Sequence, residues 1–154
     1  MFSMPRFPAV FQESLGRAVN VAARAMRALL DARLAEAGMS FATWISLMTL
    51  ASSEGPLGQG DLASRIEIEG PTMVRRLDQL EAAGLVERTA DESDRRRVSV
   101  TLTPKGKTAF AKVRSSVEAT EKAMMEGLDA ADVEATRRVL KELTQRARTL
   151  RMGT

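Results

Sequence analysis

Around residues 85–102 the apolar side chains of this chain change their spacing from every third or fourth residue to every second. Val98, Val100 and Leu102 fall on one side of an extended segment, Ser99 and Thr101 on the other. Alternation of this kind marks a strand with one covered face. Residues 85–89 and 97–102 therefore predict two antiparallel strands, joined by a loop that holds Asp91, Glu92, Asp94, Arg95, Arg96 and Arg97. Such a loop is either a solvated hairpin tip or a charged finger that reaches something negatively charged.

Everything around the hairpin reads as helix. Phe11, Leu15, Ala18, Ala22, Ala25 and Leu29 recur at helical steps, predicting a helix over residues 10–37 that Gly38 ends. Ser40 caps a second helix at 41–53, with Trp44, Leu47, Met48 and Ala51 on its core side, before Glu54-Gly55-Pro56 breaks it. A short helix at 59–66 buries Leu62 and Ile66. After Glu67-Ile68-Glu69 another helix opens at Pro71 and runs to Ala83, closed by Gly84. Leu77 and Leu80 face inward on it, while Arg75, Arg76 and Gln79 project outward. Thr103-Pro104 starts a long helix to about Gly127, and Asp129 starts a last one to about Leu150. Their apolar sides are Phe110, Val113, Val117, Thr120 and Met124, and then Val133, Thr136, Leu140, Leu143, Ala147 and Leu150.

Composition excludes several functions. The 154 residues contain no Cys and no His, so disulfides, cysteine metal sites and Ser-His or Cys-His pairs are not available. No stretch approaches the ~18 apolar residues of a membrane span, and the start does not read as a secretory signal. The cytoplasm is the expected location, with no membrane partner, no metal, no cofactor and no enzymatic activity. Net charge is only +3, yet residues 95–117 hold seven Lys or Arg and no acid, as a face for a polyanion would.

Residues 61–80, DLASRIEIEGPTMVRRLDQL, give two short helices with adjacent arginines on the second. That is the pattern of a helix-turn-helix, whose second helix lies in the DNA major groove. Thr72 and Met73 occupy its first turn, where a hydroxyl and a thioether side chain reach base edges, and Arg75 or Arg76 meets a guanine or a phosphate. The hairpin that follows makes it a winged helix, its basic tip entering the minor groove or following the backbone. Asp94, two residues before Arg96, would hold that guanidinium in one rotamer.

The residues that carry a family resemblance are Thr43-Trp44 with Leu47 and Leu50, Gly55-Pro56-Leu57-Gly58-Gln59, and Leu62-Ala63. They continue with Pro71-Thr72-Met73-Val74-Arg75, Leu77-Asp78-Gln79-Leu80-Glu81 and Gly84-Leu85-Val86-Glu87-Arg88. Asp94-Arg95-Arg96 and Val100-Thr101-Leu102-Thr103-Pro104-Lys105-Gly106 complete them. In these the chain resembles the MarR family of winged-helix regulators, its SlyA-like branch in particular. The resemblance implies a mainly α fold: a winged helix-turn-helix core at 39–103 with a two-stranded wing, and helical dimerisation regions at 1–38 and 104–154. It implies a homodimeric transcriptional repressor on pseudo-palindromic double-stranded DNA, with Gln59, Thr72, Met73, Arg75, Arg76, Asp94, Arg95 and Arg96 at the DNA. Phe7, Phe11, Leu15, Val117, Met124, Leu140, Leu143 and Leu150 would form the dimer interface. Many members bind small aromatic acids, and Phe41, Trp44 and Met48 lie on the helix nearest that cleft. The chain departs from the family in its second arginine, Arg76, and in Gly70 where a capping side chain is usual. The alternative is a winged-helix module for protein contact that does not bind DNA specifically.

Overall fold

The structure is a computed structural model that describes residues 14–90 and 98–152. Among them are six helices: α1 (Leu15–Glu36), α2 (Phe41–Ala51), α3 (Gln59–Ile66), α4 (Gly70–Ala82), α5 (Pro104–Met125) and α6 (Ala130–Met152). Three strands, β1 (Leu57–Gly58), β2 (Val86–Ala90) and β3 (Val98–Leu102), form one antiparallel sheet in the order β1-β3-β2. The fold is mainly α, a winged helix-turn-helix. Phe7 and Phe11, expected in a dimer interface, and Asp94, Arg95 and Arg96, expected at the wing tip, lie outside the described residues. The chain divides into two compact units, Met1–Glu118 and Ala119–Thr154.

Helix starts follow local chemistry. The Ser40 hydroxyl accepts from the Thr43 amide at 3.1 Å, and Asp129 Oδ1 accepts from the amides of Ala131 and Asp132 at 2.8 and 3.1 Å. Each satisfies amides that a helix leaves without an internal partner. α1 begins at Leu15, later than the expected residue 10, because Ser14 is extended and accepts from the Arg17 amide as its cap.

The first unit has two apolar clusters. Leu47, Leu50, Leu57, Leu62, Ala63, Met73, Leu77, Leu80, Val86 and Val100 form the centre of the helix-turn-helix and sheet. Leu30, Leu34, Trp44, Val113 and Val117 join α1 and α2 to α5, with Trp44 stacked on Phe110 at a ring separation of 5.0 Å. Val117 is thus covered by its own chain, which corrects the expectation that it faces a partner subunit. The expected stripe of α1 points the other way: Leu15 and Leu29 are exposed, and Leu30 and Leu34 are the buried residues. In the second unit Leu143 and Leu150 are exposed, while Leu140 is half-buried.

The wing is wider at its middle than expected. β1 pairs with β3 through Leu57↔Val100 and Gly58↔Ser99, adding a third strand that joins the start of α3 to the hairpin. β2 pairs with β3 along its length, from Val86↔Leu102 to Ala90↔Val98.

The run Thr103-Pro104-Lys105-Gly106 fastens α5 to the turn between α4 and β2. Gly84, at φ +69, closes α4 while the Leu85 amide reaches back to the Leu80 carbonyl at 2.9 Å; the left-handed conformation favours glycine there. The Thr103 hydroxyl donates to the Gly84 carbonyl at 2.6 Å and accepts from the Gly106 amide at 3.0 Å. Lys105 Nζ donates to the Ala83 carbonyl at 2.7 Å, so this lysine caps α4. A Cβ on Gly106 would lie 2.0 Å from the Leu85 carbonyl oxygen, so the close approach of α5 depends on glycine.

Candidate nucleic-acid interface

α3 and α4 meet through a turn made by Glu67, whose backbone takes the left-handed conformation at φ 62. The Ile68 amide then bonds the Ala63 carbonyl at 3.0 Å, and the Ile68 side chain packs on the core beneath the turn. These contacts set the angle at which α4 leaves. α4 starts after Glu69 with no side-chain cap and a proline in its first turn. One orphan amide is therefore absent by chemistry, and the Glu69 side chain caps none of the others.

The faces of α4 separate cleanly. Met73, Leu77 and Leu80 are buried at 0%, 0% and 3% exposure. Thr72, Arg75 and Gln79 are exposed, three and four residues apart, and so share one outward stripe. Met73 belongs to the core and does not reach a base edge, contrary to expectation: its position, one turn before Leu77, puts it on the inward side. Arg76 does not project freely either. It is half-buried, and its Nη1 is enclosed with no hydrogen-bond partner. It stands three residues after Met73 and four before Leu80, on the flank of the buried stripe. Gln59, the first residue of α3, is half-buried.

A charged group that the sequence did not single out joins α4 to the wing. Val86 and Val100 are buried, and Arg88 follows Val86 by two and stands opposite Val100, so it occupies the same core-facing side of the sheet. Its Nη2 lies 2.7 Å from Asp78 Oδ1 and 2.6 Å from Glu81 Oε2, and its Nε donates to Glu81 Oε2 at 2.9 Å. The Arg88 amide donates to Glu81 Oε1 at 3.2 Å. The side-chain hydrogen bond from Arg88 holds the Glu81 carboxyl below the ordinary carboxylate range, against a smaller opposing effect of burial. Bonds to Glu81, then to Asp78, push the guanidinium above its ordinary value. The sequence carries only a partial signal, an arginine in phase with Val86 on an alternating strand.

The three residues expected at a ligand cleft are all on α2. Trp44 is buried against Phe110 as a core residue. Phe41 is covered by the Arg27 guanidinium, 3.5 Å from the ring centre, and Met48 is half-buried. A cavity of about 380 Å³ lies elsewhere, among Leu50, Pro56, Leu102, Lys107 and Phe110. Among the described residues no group of three or more acids is placed to hold a metal, and no single helix is long and apolar enough to cross a membrane.

A family model described as the MarR family matches residues 42–98. The chain is 33% identical to the solved transcriptional regulator PA3341, covering 88% of this chain and 99% of that one at a TM-score of 0.79. Bordetella bronchiseptica BpsR, solved to explain regulation of its DNA binding by 6-hydroxynicotinic acid, is 24% identical over 90% of this chain and 98% of its own, at a TM-score of 0.80. S. aureus MepR, solved as a DNA complex, is 22% identical over 86% and 97%, at 0.78. These last two likenesses speak to the fold.

Proposed function

This chain belongs to the MarR family of transcriptional regulators, and from that premise we propose that it is a homodimeric repressor of sequence-specific, double-stranded DNA. The observation that carries the reading is the division of α4. Its apolar side is sealed in the core, and its other side offers Thr72, Arg75 and Gln79 at one helical stripe beside the wing. A major groove ~12 Å wide admits such a helix, and an arginine there makes a bidentate contact to guanine. Arg96 at the wing tip, steadied by Asp94, with Arg95 beside it, would supply the second grip on the duplex. Gln59 and Arg76 are assigned to the edge of the footprint.

In this reading residues 39–103 engage DNA, and the helices at 1–38 and 104–154 hold two copies together, so that two α4 helices meet a pseudo-palindromic site. In the first unit the exposed Leu15, and in the second unit the exposed Leu143 and Leu150 with half-buried Met124 and Leu140, each support contact with a partner copy. The effector would be a small aromatic acid, as the BpsR likeness suggests, received near Phe41, Trp44 and Met48. Because Trp44 is already packed, Phe41 and Met48 would make the direct contacts.

The test is binding of the purified protein to genomic duplex fragments, followed by footprinting and titration with salt. Steeply salt-dependent binding to a pseudo-palindrome is expected, since each neutralised phosphate releases counterion. Arg75→Ala should cost about 1–3 kcal/mol at one base pair of each half-site and flatten preference there. Equal binding of wild type and Arg75→Ala to every sequence would overturn the reading.

A further inference from the structure

We infer that Arg88, with Asp78 and Glu81, is the positioning unit of the DNA-binding surface: it ties the wing to the recognition helix so that both meet the duplex in one fixed geometry. This rests on the DNA-binding reading above. Arg88 stands half-buried on the core-facing side of β2, and it is answered by two carboxylates of α4 at 2.7 and 2.6 Å. Asp78 lies one turn beyond Arg75, so the clamp grips the helix next to its outward arginine. β2 is an edge strand, and the Arg88 amide is taken by Glu81 Oε1 at 3.2 Å. Both the backbone and the side chain of the wing are thereby fastened to α4. The guanidinium also offsets one of the two negative charges that these carboxylates place on a helix that faces a polyanion. Arg88 is not assigned a contact with DNA; it acts through the elements it joins.

The sign of the charge change separates this from simple electrostatics. Asp78→Ala combined with Glu81→Ala removes two negative charges from the DNA-facing helix, which by charge alone should tighten binding. If the clamp sets the wing, this variant and Arg88→Ala should both bind the footprinted duplex about tenfold more weakly. The triple variant should be no weaker than either, because all the changes break one unit. Arg88→Lys, which keeps the charge but not the fork, should recover only part of the loss. Amide exchange at Arg88 in the free protein should speed up in the carboxylate variant while the α4 interior stays protected. Tighter DNA binding by that variant would overturn the inference, and so would unchanged exchange at the Arg88 amide. A wild type that binds no duplex would instead remove the DNA reading, and the exchange measurement would still decide whether the clamp exists.

Discussion

Gly106→Ala adds one methyl group where there is no room for it. The added carbon would stand 2.0 Å from the Leu85 carbonyl oxygen and 3.0 Å from its carbon. An ordinary C···O contact is roughly 3.3 Å, so backbone must retreat by about 1.3 Å. Neither side is free to do so. Leu85 is held by the hydrogen bond its amide donates to the Leu80 carbonyl, and its own carbonyl accepts from the Thr103 amide at 3.1 Å. Separation would weaken that bond and the Thr103 hydroxyl bond to Gly84. Two such bonds contribute about 2 kcal/mol net. Overpacking adds about 2 kcal/mol, and the better helix propensity of alanine returns about 1 kcal/mol. A net loss of about 3 kcal/mol should lower Tm by roughly 6–12 °C for a chain of this size. Gly60, in α3, is the control, because a Cβ there meets nothing within 4 Å. Gly60→Ala should be neutral or stabilising by up to about 1 kcal/mol. Thermal melts at fixed protein concentration, supported by urea unfolding, read both variants. A Gly106→Ala protein that melts with wild type would refute the close-approach argument, as would an equal loss in Gly60→Ala.

Met73→Ala should cost about 2–5 kcal/mol of stability, measured by urea unfolding; a variant of native stability that loses only base discrimination would return Met73 to the DNA surface. The Glu81 carboxyl titrates below its ordinary range, so its contribution is present above the unfolded-state pKa and disappears as pH falls through the lower folded value. Protection of the Arg88 amide should therefore persist from neutrality through the ordinary carboxylate range and fail only at more acid pH, with Glu81→Ala abolishing that acid transition. Leu143→Asp with Leu150→Asp should convert a dimer to monomers in sedimentation velocity while leaving the helical circular dichroism of the first unit intact; a dimer that persists would place the interface elsewhere.

Helix boundaries were legible where the deciding chemistry is local. Ser40, Gly84 and Asp129 act on amides and carbonyls within a few residues of themselves, and α3 occupies the expected span. β1 was not legible, since a pair of residues carries no alternation and its partners, Ser99 and Val100, are distant in sequence. Met73 was misplaced although its spacing to Leu77 and Leu80 marked it as inward; its role was argued from its place in the first turn and not from its face. Arg76 shows the limit of the outward rule, because a long side chain beside a buried stripe folds over it. Lys105 counts in the sequence only as one of the basic residues of 95–117, whereas its partner is the Ala83 carbonyl, which sequence spacing does not reveal. The site residues on α4 were legible as a set; the group that holds the wing against them required knowing which way β2 faces.

The short strand β1 changes how the wing carries load. Three strands lie side by side where Leu57 and Gly58 meet Val100 and Ser99, and one step further out, at Ala90 and Val98, there are two. The sheet is thus a beam thickened at mid-length, and its resistance to bending drops between Ser99 and Val98. Force applied beyond that step would flex the hinge line there before it disturbed the packing of the helices beneath.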